Sequence, residues 1–325
     1  MKIHKDMTLG EIAAIPEFSQ MQGQFVTSNM GDWMKGKETL ALQQLHEQNP
    51  TWSVEDMCFG LNRLLEIAQT GKQYVFPVSD HAALIHLPAQ KRKYDTYAIL
   101  MAGGAYGAVC TMVEALPVAA KLNELGMDCF CLNYCTASKL DFVKGLMPKP
   151  LEDVAAAWKY IKARETDFDL CAENYIAGGF SAGGHLSAMW GTSHRGARHF
   201  DVPAPKLLLL GYPLITMETM KGPGATLIAT GMFGAGFSRK KVREYAVNDH
   251  VDAKYPPVYL VQAENDDTVP IAQSYLMEEA LRSAEIACKM NRTASGGHGF
   301  GLGSATEANG WVEDAFLWME GLYGL

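Results

Sequence analysis

Tyr175-Ile-Ala-Gly-Gly-Phe-Ser-Ala-Gly-Gly-His-Leu186 decides the fold. An apolar run of strand type, Tyr175 to Gly179, passes with almost no spacer into a helical run, Gly183 to Trp190, and Ser181 stands at the junction with a glycine two residues to either side. A chain that leaves a strand and enters a helix at once must bend sharply. Small neighbours permit the bend and leave the serine hydroxyl exposed. The amide of Ala182 and the start of the helix both favour negative charge developing beside that hydroxyl. Gly-x-Ser-x-Gly alone is a common match, and it is the strand-to-helix setting that makes Ser181 the candidate nucleophile.

Outward from this point, short apolar runs alternate with helical ones from Lys72 onward, the pattern of strands joined by helices in a mostly parallel sheet. Strands are expected at 73–78, 81–87, 96–101, 129–134, 175–179, 206–210, 258–262 and 288–293. Helices are expected at 113–125, 151–164, 183–190, 271–284 and 306–323. No helix fits between the first two strands, so they should form an antiparallel hairpin at one edge. The fold class is α/β, with a helix-flanked, mostly parallel central sheet over residues 72–325. Residues 215–255, irregular and rich in Gly and Met, sit where a sheet protein inserts a lid or cap. Residues 1–71 read differently, as a helical extension with helices at 8–15, 37–48 and 54–69, the last capped by Ser53. They carry no residue of the proposed chemistry and are expected to pack against the body or restrict the substrate.

An activated serine needs a base and a group that orients the base, and in this topology they follow in the order Ser, acid, His. After the apolar strand ending at Gln262 comes Ala263-Glu264-Asn265-Asp266-Asp267-Thr268-Val269-Pro270, which offers acids at a strand's C-terminal end. After the last strand comes Ser295-Gly296-Gly297-His298-Gly299-Phe300-Gly301, and His298 alone of the nine histidines has glycine on both sides. A flexible loop of this kind lets an imidazole reach a serine distant in sequence. At the end of the third strand, Met101-Ala102-Gly103-Gly104-Ala105-Tyr106-Gly107 supplies small residues whose amides can converge on an oxyanion. Its spacing matches neither G-x-G-x-x-G nor the lysine-bearing P-loop, so nucleotide binding is not expected.

Composition limits the alternatives. The 325 residues, 48% hydrophobic and 20% charged, can bury a large core, which excludes disorder. A formal charge of −8 argues against nucleic acid as a partner. No apolar run of leader or membrane-helix length opens the chain, so a soluble, cytoplasmic protein with no membrane partner is expected. Seven cysteines scattered through apolar stretches read as reduced thiols. Cys129, Cys131 and Cys135 fall in a strand-like run without the spacer that lets a loop wrap zinc, so neither a metal nor any other cofactor is expected.

Together these residues resemble the α/β-hydrolase superfamily, in the branch of acetyl esterases and lipases related to acetylxylan esterases, over residues 96–325. Position by position, the resemblance makes Ser181 the nucleophile, Asp266 (the aspartate four before Pro270) the triad acid and His298 the base. It gives the oxyanion hole to the amides of Ala182, Gly104 and Ala105. The chain departs from the family's usual His-Gly-Gly-Gly at Ala102–Ala105, and from a usual His-Gly at Gln262-Ala263. The adjacent Asp267 is the alternative acid, and His185 is expected to pack or cap. The resemblance implies a serine esterase for short acyl esters, with a small ester or acetylated carbohydrate as substrate. A serine peptidase or acyl-aminopeptidase on the same fold is the rival within catalysis, and a binding protein that keeps the fold is the rival outside it. Oligomeric state is open, a homodimer included.

Overall fold

The computed structural model describes residues 1–323; the last two residues of the expected 72–325 stretch lie outside the described part. The chain opens with three helices, α1 (Leu9–Ala13), α2 (Leu42–Gln48) and α3 (Val54–Ala68). Next come β1 (Val75–Pro77), β2 (Ala83–Leu87), β3 (Tyr97–Met101), α4 (Ala115–Leu125) and β4 (Cys129–Asn133). The middle of the chain forms α5 (Asp141–Lys144), α6 (Lys149–Lys162), α7 (Glu165–Phe168), β5 (Tyr175–Phe180), α8 (Ser181–Gly191) and β6 (Leu208–Gly211). The last third adds α9 (Pro223–Phe233), α10 (Arg239–Arg243), β7 (Val258–Ala263), α11 (Ala272–Ser283), β8 (Cys288–Thr293) and α12 (Trp311–Tyr323).

The eight strands form one sheet in the order β1-β2-β4-β3-β5-β6-β7-β8. β1 and β2 form the expected antiparallel hairpin; β2 runs antiparallel to β4, and every other pairing is parallel. β3, β4, β5, β6 and β7 are buried along their whole length, as a sheet covered by helices on both faces requires. From β3 the chain adds β4 on one side and then β5 on the other. The order therefore reverses at β3, which opens a crevice beyond the carboxyl ends of β3 and β5.

Besides shifts of a few residues at element ends and two short helices the sequence reading did not contain, α5 and α7, three stretches differ from it. α2 begins at Leu42, after a turn in which Leu40 N–H donates to the Lys37 carbonyl. α12 begins at Trp311, because Gly310 before it is left-handed at φ +85°. Residues 215–255, read as irregular, contain α9 and α10. Gly224, Gly231 and two threonines lower the propensity of α9, but its buried end is held by Leu146 and Met147 N–H groups on the Gly231 and Met232 carbonyls.

The opening helices share the core of the sheet. Ile3, Leu9, Phe18, Leu42, Leu61 and Leu64 lie in the same continuous apolar cluster as the central strands. Ser53 caps α3 by accepting from Asp56 N–H (3.1 Å). Further along, Thr27 and Val109 exchange both backbone hydrogen bonds (3.2 and 2.9 Å), which lays the N-terminal chain across the loop after β3.

Candidate active site

β5 delivers Ser181 to the mouth of the crevice. Its backbone is left-handed, φ +53°, a conformation non-glycine residues adopt only under constraint. The constraint is close approach: a Cβ on Gly179 would lie 2.0 Å from the Gly183 carbonyl oxygen, and one on Gly183 would lie 2.1 Å from that of Met101. The two glycines of the motif thus serve contact between β5, α8 and β3, beyond the bending that the sequence reading assigned to them.

Ser181 Oγ lies 2.9 Å from His298 Nε2, and His298 Nδ1 lies 2.8 Å from Asp266 Oδ2. A carboxylate only accepts, so Nδ1 carries the proton, and in the neutral ring Nε2 is left to accept from the serine hydroxyl. Asp266 is buried and fully engaged. Its Oδ1 accepts from the N–H groups of Thr268 (3.0 Å) and Val269 (2.8 Å), and its Oδ2 also accepts from Gln262 Nε2 (3.1 Å). Gln262, a departure from the family pattern, thus holds the acid in place. Asp267, the alternative acid, is exposed, and among the described residues its side chain accepts only from its neighbour Thr268.

Beyond β3, Gly104, Ala105 and Tyr106 all have positive φ, +134°, +55° and +59°. The turn is tight enough that a Cβ on Gly104 would lie 2.2 Å from the Ala108 carbonyl oxygen. Among the described residues none accepts from the N–H groups of Gly104, Ala105 or Ala182. Unpaired amides beside a nucleophile are what an oxyanion hole requires. The Gly103 amide, by contrast, is taken up by the Glu114 carboxylate.

Glu114 is a residue the sequence reading missed. Buried at the start of α4, it accepts from Gly103 N–H and from Tyr212 OH (2.9 Å), and Tyr212 OH accepts from Gly301 N–H (2.9 Å). One carboxylate therefore ties together the loops that carry the candidate oxyanion amides, the end of β6 and His298. Burial pushes its carboxyl above the usual range. An acid at a helix start carries no local mark of such a role.

His185 packs, as expected. It is buried, its Nδ1 accepts from Tyr106 OH (2.7 Å), and its Nε2–H donates to the Tyr245 carbonyl (2.8 Å). Burial lowers its pKa to about 4, so the ring is neutral near pH 7. Cys110 lines the cavity, but burial raises its thiol to about 12, so it stays protonated and weakly nucleophilic. Cys129, Cys131 and Cys135 are buried, and among the described residues no group of three His, Cys, Asp or Glu is placed to hold a metal ion. No described helix is long and apolar enough to cross a membrane.

Ser181 and His298 face a cavity of about 560 Å³, within the range of small-molecule sites. Its other walls come from the loop after β3, from Asn265 to Thr268, and from Gln48–Trp52, which precedes the sheet; none of its lining residues comes from 215–255.

The model of the BD-FAE family matches residues 84–281. The chain is 26% identical over 219 residues to an endo-1,4-beta-xylanase B of Butyrivibrio fibrisolvens, a match covering 66% of this chain and 34% of that protein. It is also 26% identical over 241 residues to an acetylxylan esterase of Xylanibacter ruminicola, covering 73% of this chain and 48% of that protein. The chain thus spans about a third and about half of these two curated relatives. Among solved structures, an acetyl ester-xyloside bifunctional hydrolase from Caldicellulosiruptor lactoaceticus superimposes with a TM-score of 0.64 at 23% identity, covering 76% of this chain and 96% of that one.

Proposed function

Because this chain belongs to the BD-FAE family and has the α/β-hydrolase fold, we propose that it is a serine esterase that removes short acyl groups, acetyl above all, from sugars or oligosaccharides. The observation that carries the reading is the unbroken chain Asp266–His298–Ser181, ending beside unpaired amides. In the proposed reaction His298 Nε2 takes the Ser181 proton as Oγ attacks the ester carbonyl. The carbonyl oxygen becomes negative and is held by the N–H groups of Gly104, Ala105 and Ala182. His298, now charged and oriented by Asp266, gives its proton to the departing alcohol. Water, activated by the same imidazole, then releases the acid from Ser181. The acetyl preference is supported by the acetylxylan esterase relative.

The test is p-nitrophenyl acetate hydrolysis by Ser181→Ala. Loss of the nucleophile should lower kcat by at least about 10⁴-fold, because triad members act as a unit. A rate near that of the unaltered protein would overturn the reading.

A further inference from the structure

The wall facing His298 lies outside the residues that match the family. Gln48, Asn49, Pro50, Thr51 and Trp52 line the same cavity as Ser181 and His298. Contact with the His298 loop is intimate: a Cβ on Gly297 would lie 2.8 Å from Thr51 Cγ2, and one on Gly299 would lie 3.3 Å from Trp52 Nε1. The two glycines that flank His298 are left-handed, φ +65° and +81°, and they also leave room for this segment. We propose that Gln48–Trp52 is the leaving-group subsite, the surface that meets the alcohol released from the ester and decides which alcohols are accepted. The proposal rests on the serine-esterase reading above.

Chemistry places the leaving group on this side. His298 must protonate the departing oxygen, so that oxygen sits beside Nε2, and whatever is attached to it meets the surface against which the His298 loop packs. The segment is held firmly enough to discriminate. Trp52 N–H donates to the Asn49 carbonyl (2.9 Å) and the Trp52 carbonyl accepts from His46 Nδ1 (2.8 Å). A few residues on, the Asp56 carboxylate accepts from Ser304 N–H (3.1 Å), which ties α3 to the chain just past the His298 loop. These bonds leave the Gln48 amide, the Thr51 hydroxyl and the Trp52 indole N–H without a protein partner among the described residues. One aromatic side chain among free polar groups, with Asn265 and Thr268 also lining the cavity, suits a polyhydroxylated ring better than an alkyl chain.

The experiment compares two esters of the same acid, p-nitrophenyl acetate and acetylated xylobiose, with kcat and KM measured for Trp52→Ala and Gln48→Ala. The ratio of kcat/KM for the sugar ester to that for the aryl ester should fall about tenfold in Trp52→Ala, mainly through KM, and about threefold in Gln48→Ala. An unchanged ratio in both variants overturns the proposal, including the case in which both rates fall together, since that is what a merely structural disturbance of the His298 loop would do. Should Trp52→Ala not fold, Trp52→Phe fills most of the space but lacks the N–H, and its ratio should fall about threefold. If the unaltered protein hydrolyses neither ester and does not react with a fluorophosphonate probe, the esterase reading itself fails. If it hydrolyses the aryl ester and the variants keep the ratio, only the subsite fails.

Discussion

The cavity has two walls of different origin. One is made of strand ends: Ser181, Asp266 and His298 each follow a strand of the parallel sheet. The other is assembled at a distance. Thr51 and Trp52 lie against Gly297 and Gly299 of the His298 loop, and the Asp56 carboxylate accepts from Ser304 N–H (3.1 Å) across 248 residues of chain. Parallel strands bring their ends to one edge whatever the loops contain, so the proposed reacting groups depend on the sheet. The shape of what can reach them depends on the N-terminal chain. Damage to the first wall should therefore cost rate, and damage to the second should cost stability and selectivity.

The largest effect is expected on the strand-end wall. Asp266→Asn keeps the shape but removes the charge that holds the His298 tautomer, and kcat on p-nitrophenyl acetate should fall about 10³- to 10⁴-fold. The free energy of unfolding in urea should fall by about 1–3 kcal/mol, since one side-chain oxygen still accepts from Thr268 and Val269 N–H but an amide nitrogen in place of Oδ2 cannot accept from Gln262 Nε2. Retained activity would break the comparison and point to the neighbouring Asp267.

Next in size is an acid effect at the seam between the walls, where His185 joins Tyr106 of the loop after β3 to α8. The ring titrates near 6.5 when unfolded and near 4 when folded, because burial disfavours its charged form. Between these values the unfolded chain binds more protons, so His185 leaves stability level above about pH 6.5 and lowers it as pH falls toward 4, by up to about 3 kcal/mol. Urea unfolding at pH 7 and pH 4.5 should show a smaller acid loss in His185→Gln than in the unaltered protein. Equal losses would mean that the ring does not bear the strain of burial.

The strand-end wall was legible in the sequence because its signals are local. A serine between a strand and a helix, a cluster of acids at a strand end and a histidine between glycines each declare themselves within a few residues, and it is the family resemblance that picks Asp266 from that cluster. The sheet was legible for the same reason, since its strands are apolar runs with turn residues after them, except the partly exposed edge strand β8, Cys288–Thr293. Glu114, Tyr212 and Gln48–Trp52 have no such mark. Each acts through a partner tens or hundreds of residues away, and neither periodicity nor turn chemistry reports contacts of that kind. α9 was hidden differently: its glycines and threonines lower helix propensity, and its packing against the chain after α5 overrides them.

The smallest effect sharpens the second wall. α3, which follows directly on Gln48–Trp52, packs against α4 at Gly60, where a Cβ would lie 2.7 Å from Pro117 N and 2.9 Å from the Leu116 carbonyl carbon. Both are backbone atoms at the start of a helix that itself lies on the sheet, so they cannot turn aside as a side-chain tip could. Gly60→Ala must therefore push α3 away from α4, and overpacking of this kind costs about 1–3 kcal/mol. Alanine is otherwise the better helix former by about 1 kcal/mol, which works against the loss and places the net effect near the lower end of that range. Urea unfolding should show the loss, while kcat on p-nitrophenyl acetate stays within about threefold, because the variant touches none of the strand-end turns. A stability gain instead would mean that α3 rests loosely on the body and that Gln48–Trp52 can move independently of the sheet. In that case the second wall would be a movable flap, and selectivity for the alcohol would have to come from the strand ends alone.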